Sequence, residues 1–207
     1  MGEKSTTEQL LREMEAYAAS EHVPIINARG REVLVGAVRA CRPRRVLEIG
    51  TAIGYSALLI AMHAAPDAEI TTLELDEERA ALAAAYIVRS PYAARIDIRV
   101  GDAGRLLTEL RGPFDFVFMD AAKGQYPDYW RKLQPLLSSD AVVVADNVLF
   151  RGYVRSTEKP PRRYKTIVRR LQEYLALVQA APGFVTRVYE NGDGLAVSWR
   201  IHEQEET

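Results

Sequence analysis

The chain has 207 residues, 48% of them hydrophobic and 27% charged, and a formal net charge of -1. Those values describe one ordinary domain with a full core, and they exclude a low-complexity or fibrous chain. The single cysteine, Cys41, excludes an internal disulfide and a cysteine-based zinc site and fits a reducing compartment, so a cytoplasmic location is expected.

The opening stretch, "MGEKSTTEQLLREMEAYAAS", carries acids inside its apolar pattern and is expected to be neither a signal peptide nor a membrane span. Leu10, Leu11, Met14 and Tyr17 fall on one side of a helix over residues 5–20, with Thr6 or Thr7 as its cap. "HVPII" breaks that pattern, and a second helix is expected over 29–40. The two make an N-terminal helical extension, residues 1–40, of a single domain spanning 1–207. The amphipathic first helix has no strand of its own to cover, so it is expected to pack on the domain or on a partner in a homodimer.

From residue 44 strands and helices alternate. Strands are expected at 44–50, 68–75, 95–101, 114–120 and 141–146. Helices are expected at 55–65, 77–90, 102–110, 126–137 and 163–181. The end, "FVTRVYENGDGLAVSWRI", reads as two β runs around an "NGDG" hairpin turn. The pattern predicts an α/β fold: a mostly parallel sheet with helices on both faces and an antiparallel edge. In such sheets ligands bind at the carboxyl ends of strands near the switch in strand order.

Those strand ends carry chemistry. "EIGTAIGYSA" (48–57) turns from the first strand into a helix, with Gly50 and Gly54 allowing close backbone approach and Ser56 near the helix amino end. The G-x-G-x-x-G dinucleotide fingerprint is incomplete here. Glu74 ends the second strand, where an acid can accept bonds from both ribose hydroxyls. Asp102 ends the third and could accept from an adenine amino group. Each residue alone reads equally well as a helix cap or turn residue; their succession on three strand ends favours a nucleoside pocket and leaves its occupant open.

Asp120 and Asp146 end the next two strands, and Asn147 follows. Three oxygen donors without sulfur or imidazole suit a hard cation such as magnesium. Alternatively, Asp120 caps a helix and Asp146-Asn147 starts a turn. Lys123 lies three residues past Asp120, where a neighbouring cation would disfavour its charged form and allow it to act as a base. A solvated lysine or an anchor for substrate phosphate is the plainer reading. Trp130, Tyr126 and Phe150 are candidates for an aromatic wall, though core or interface packing is the simpler role.

"LEIGTAIGYSA", "TLELD", "GDA", "FMDAAK" and "ADNVLF" occur in the order seen in the metal-dependent O-methyltransferases of the catechol and caffeoyl-CoA type. Residues 23–150 resemble that family well and the rest loosely. The resemblance implies a Rossmann-like methyltransferase fold with a seven-stranded sheet. It implies S-adenosylmethionine held by Gly50, Ser56, Glu74, Asp102 and Asp120, with Ile26 of "VPII" lining the pocket. It also implies magnesium on Asp120, Asp146 and Asn147, and Lys123 as the catalytic lysine. Within the family, "DAAKGQY" with "DNVLFRGYV" is most similar to the tRNA 5-hydroxyuridine methyltransferases, which implies tRNA as substrate and partner.

Residues 151–170 hold eight Lys or Arg and one Glu, a net +7 that leaves the remainder of the chain at -8. Such a run beside a cleft suits a phosphate-bearing substrate. Arg151, Arg155, Arg162, Arg163 and Lys165 are the candidate tRNA contacts, and Tyr153 and Tyr164 could stack on an exposed base. The same charges could serve the phosphates of a coenzyme A thioester, or Arg169 and Arg170 could simply decorate a helix. Three further functions stay open: methylation of a small phenol, a non-catalytic nucleoside- or RNA-binding module, and, on weaker grounds, a dinucleotide oxidoreductase.

Overall fold

The computed structural model describes residues 3–190 and 192–201, with side chains from residue 6 onward. Seven strands form one sheet: β1 (Arg45–Ile49), β2 (Glu69–Glu74), β3 (Ile96–Val100), β4 (Phe114–Met119), β5 (Leu137–Asp146), β6 (Phe184–Tyr189) and β7 (Leu195–Arg200). Their order is β3-β2-β1-β4-β5-β7-β6. The first five pair in parallel, and β7 runs antiparallel to both β5 and β6. The strand order reverses between β1 and β4, whose carboxyl ends therefore open the crevice where the functional residues were expected.

Alternation along the strands divides the core into two layers. Val46, Phe116, Phe118, Val142 and Val144 face one side, against α1 (Glu3–Ser20), α2 (Ala28–Cys41), α3 (Tyr55–His63) and α4 (Glu77–Ile87). Leu47, Ile49, Val117, Met119 and Val143 face the other, against α5 (Ala103–Glu109), α6 (Tyr126–Leu133) and α7 (Lys165–Gln179).

The N-terminal helix finds its cover within the chain. Leu10, Leu11, Met14 and Ala18 are buried against the α3 layer, and Tyr17 meets Tyr86 edge to face at 6.1 Å. Its start differs from expectation, because the helix already runs from Glu3 and Thr7 is buried inside it rather than capping it. Among the described residues no helix is long and apolar enough to cross a membrane.

Two other boundaries moved for identifiable reasons. The helix expected over 126–137 stops at Leu133 and tightens into a 3-10 turn at Gln134–Leu136. Pro135 has no N–H to continue the α-ladder and its ring crowds the preceding turn. Strand β5 starts at Leu137, four residues early, but its register on β4 shifts between Phe114 and Phe116. The polar Ser138-Ser139-Asp140 insert makes that irregular opening invisible to an alternation pattern.

Candidate active site

Gly50 makes the first strand end possible. Its φ is +102°, and a Cβ there would sit 2.2 Å from the carbonyl oxygen of Asp120. Any side chain would push the tips of β1 and β4 apart, so the glycine is what lets the two loops close on each other.

Glu74 works from the tip of β2. Its Oε2 accepts the Ala52 N–H at 2.8 Å and its Oε1 accepts the Asp76 N–H at 3.0 Å, tying the glycine loop to the second strand. Each carboxylate oxygen retains accepting capacity beyond one such bond. Asp102 caps α5 by accepting the Arg105 N–H at 2.9 Å, and it lines the same cavity. Capping and pocket lining, which the sequence posed as alternatives, coincide in this residue.

Asp120 and Asp146 stand at the adjacent tips of β4 and β5. The Lys123 ammonium donates to Asp120 Oδ1 at 2.5 Å and lies 5.4 Å from the centre of the Tyr126 ring. Asp146 is buried, and burial together with the neighbouring Asp120 charge pushes its carboxyl up to about 7. Its Oδ1 accepts the Asn147 N–H at 2.7 Å. Near both acids, the fully buried Tyr126 hydroxyl shares its one proton between the carbonyls of Met119 and Asp146, each 3.0 Å away. This phenol tethers the two acid-bearing strand ends.

Gly50, Glu74, Asp102, Asp120, Lys123, Asp146 and Asn147 line one cavity of about 920 Å³. Of the residues expected to hold the cofactor, two stand elsewhere. Ile26 is buried, its side chain packed on Gly30 and sharing that contact with Leu195, while Pro24, Ile25 and Asn27 reach the cavity wall. The cause is local: Asn27 caps α2 through the Gly30 N–H, which turns the preceding isoleucine into the core. Ser56 lies behind the wall, close enough to Glu48 to favour that carboxyl's charged form but short of a hydrogen bond to Oε1.

Three contributors were not assigned to the site from the sequence. Tyr126 was given a core role as the simpler reading, and it is buried in the core, where it also ties the strand ends. Glu48 is fully buried on β1, and burial pushes its carboxyl up to about 7. It accepts the Thr72 hydroxyl at 2.5 Å, and Thr72 meets the Thr51 hydroxyl at 2.6 Å, so a buried polar chain reaches the glycine loop. Asp193 in the hairpin turn also lines the cavity. Only the inference that a mid-strand acid must face inward, because its strand neighbours do, could have flagged Glu48.

None of residues 151–170 lines that cavity, and Lys159, Lys165 and Arg169 line a separate one of about 330 Å³; the basic segment reaches the first cavity through two bonds. The Arg151 N–H donates to Asp193, and the Arg170 guanidinium donates to the Gly124 carbonyl at 2.9 Å beside Lys123. Arg155 is taken up by Glu190, and Arg170 by Glu173. Among the described residues Arg151, Lys159, Arg162, Arg163, Lys165 and Arg169 make no ion pair. Arg151 and Arg163 both pack on the Tyr164 ring, at 5.5 and 4.7 Å from its centre. Phe150 and Tyr153 meet that same ring at 5.2 and 5.9 Å.

The donor set at the β4 and β5 tips fits a hard cation. It offers two carboxylates and an amide, and the Asp120 charge raises the cost of ionising the buried Asp146. A divalent ion would relieve that repulsion and satisfy both. Among the described residues, no group of three or more His, Cys, Asp and Glu side chains is placed to hold a metal. Asn147 would therefore have to complete the protein's share.

The sheet order and the glycine loop define a Rossmann-like methyltransferase fold. The O-methyltransferase family profile matches residues 3–201, and the chain belongs to that family. It is 36% identical over 118 residues to a catechol O-methyltransferase of Niastella koreensis, covering 55% of this chain and 53% of the relative. It is 30% identical over 175 residues to caffeoyl-CoA O-methyltransferase 1 of Arabidopsis thaliana, covering 79% and 66%. The chain thus spans about half the length of the first relative and about two thirds of the second. The crystal structure of an O-methyltransferase from Bacillus cereus in complex with SAH superposes with a TM-score of 0.81 at 26% identity, covering 95% of this chain and 90% of that one.

Proposed function

We propose that this protein transfers the methyl group of S-adenosylmethionine to the 5-hydroxyl of a tRNA wobble 5-hydroxyuridine, with magnesium at Asp120, Asp146 and Asn147. One observation carries the reading: two acids and an amide at adjacent strand tips share a cavity with a lysine, and the chain leaving Asn147 carries cations, without an ion pair among the described residues, on an aromatic cluster.

S-adenosylmethionine supplies the electrophilic methyl carbon, and the acceptor oxygen forms the new C–O bond as the C–S bond breaks. Glu74 is placed to accept from its ribose hydroxyls and Asp102 from its base, while Gly50 keeps the backbone close. Magnesium, when bound, supplies the positive charge that lowers the acceptor hydroxyl's pKa. Lys123 would take the acceptor's proton in its neutral form, which a cation bound beside it would favour. Catalysis then rests on alignment in a shielded site. The 5-oxygen and 4-carbonyl of 5-hydroxyuridine are vicinal, like the two oxygens of a catechol, which suits a cation that takes neighbouring oxygens. The cations of residues 151–170 that make no ion pair among the described residues suit a polyanionic strand, or the phosphates of coenzyme A, better than a neutral phenol.

A small catechol or a caffeoyl-CoA-like phenol is the second reading, favoured by the names of the relatives. Nucleoside mass spectrometry of 5-hydroxyuridine-containing tRNA decides between them, after incubation with the protein, S-adenosylmethionine and magnesium. Conversion to 5-methoxyuridine, absent with Lys123→Ala, is expected. Unchanged nucleosides together with turnover of a catechol would replace tRNA by the small acceptor.

A further inference from the structure

The loop that carries Asn147 is held in an unfavourable backbone conformation. Asn147, Phe150 and Arg151 have φ of +56°, +40° and +56°, so three of five consecutive residues are non-glycine and left-handed. Such a run persists only where surrounding bonds over-determine it. Those bonds come from the hairpin turn between β6 and β7. The Val148 N–H donates to the Gly194 carbonyl at 3.0 Å and the Leu149 N–H to the Asp193 carbonyl at 2.8 Å. The Arg151 N–H donates to Asp193 Oδ1 at 3.0 Å. Gly194 lets the turn come this near, since a Cβ there would meet Leu149 Cγ at 2.4 Å.

The pairing of β5 with β7 brings Leu195 opposite Asp146, so the turn abuts the end of the acid-bearing strand. Asp193 and Asn147 both line the cavity.

We propose that Asp193 is a positioning residue whose side-chain and main-chain oxygens lock the 147–151 loop in the left-handed form that presents Asn147 to the cavity. The lock rests on the reading of Asn147 as part of the site. Asp193 holds the loop through its side-chain and main-chain acceptor oxygens. The C-terminal hairpin, far from the glycine loop in sequence, thereby belongs to the functional site.

Asp193→Asn keeps the side-chain acceptor oxygen and removes the charge, whereas Asp193→Ala removes both and leaves only the main-chain acceptors. Two readouts on the substrate-free full chain test the lock: amide hydrogen exchange of the segment 147–155, and Mn²⁺ affinity by electron paramagnetic resonance. In Asp193→Ala the segment is expected to exchange about tenfold faster while the β1–β4 core stays protected. Mn²⁺ affinity is expected to fall about tenfold, the scale of a lost outer-shell partner. Asp193→Asn is expected to stay within about twofold of wild type in exchange of this segment, a conservative rescue that a purely electrostatic role would not produce. Gly194→Ala, which displaces Leu149, is expected to loosen the same segment and serves should Asp193→Ala not fold. Wild-type protection of 147–155 in both Asp193→Ala and Gly194→Ala would overturn the proposal, as would Asp193→Asn behaving like Asp193→Ala. Wild-type protein that binds no Mn²⁺ would refute the metal reading, and the exchange comparison would still decide the lock.

Discussion

Glu48 gives the protein a stability that should fall as pH rises. Its carboxyl is fully buried, one oxygen has no hydrogen-bond partner among the described residues, and burial raises its pKa from 4.5 to about 7. In the pH window between those values the folded state holds a proton that the unfolded chain releases. The contribution is therefore complete below the unfolded value and is lost as pH rises through the folded one. A shift of that size corresponds to roughly 3 kcal/mol across the window. Urea unfolding in the presence of a chelator, at intervals from about pH 5 to about pH 8, measures it through the midpoint at constant m. Glu48→Gln cannot titrate, so its slope of stability against pH should be shallower by up to about 1.4 kcal/mol per pH unit. The slope is the readout because the amide changes the absolute stability for other reasons. An unaltered slope in Glu48→Gln would show that this buried acid is ionised in the folded protein, and the reasoning would fail.

Tyr126→Phe removes the donor shared by the Met119 and Asp146 carbonyls and should cost about 2 kcal/mol, or a melting temperature lower by about 4–8 °C. A loss below about 0.5 kcal/mol would mean the strand ends do not depend on that tether. Reversing three of the unpaired cations, Arg162→Glu, Arg163→Glu and Lys165→Glu together, should raise the KM for tRNA at least about tenfold and flatten its salt dependence. Turnover of a small phenol, if any, should hardly change; equal loss on both acceptors would locate those residues outside the tRNA contact. Asp146 behaves oppositely toward a cation and toward stability: its pKa near 7 makes metal affinity rise as pH rises through that value, measurable by Mn²⁺ titration at about pH 6 and about pH 8.

The strand ends were legible because each apolar run stops at an acid or glycine, and the parallel alternation says where such ends converge. That logic brought Gly50, Glu74, Asp102, Asp120, Lys123, Asp146 and Asn147 to one cavity. It failed where position depends on a neighbour rather than on periodicity. Ile26 turned inward because Asn27 caps the next helix, and Ser56 stands behind the wall because the helix begins after Gly54. Arg155 looked as free as its neighbours until the fold brought Glu190 beside it. Tyr126 and Asp193 act on residues 20 and 42 positions away, at Asp146 and Arg151, and no local pattern announces such pairings. Their signals lie in tertiary hydrogen bonding alone.

The most direct test is the methylation of 5-hydroxyuridine tRNA by protein stripped of divalent ions, with magnesium then added back. On the proposed function, stripped protein should still fold, transfer no methyl group and recover when magnesium returns, and Asp146→Asn should not recover. Full-rate transfer in excess chelator would contradict the reading that the two strand-tip acids hold a cation for the reaction.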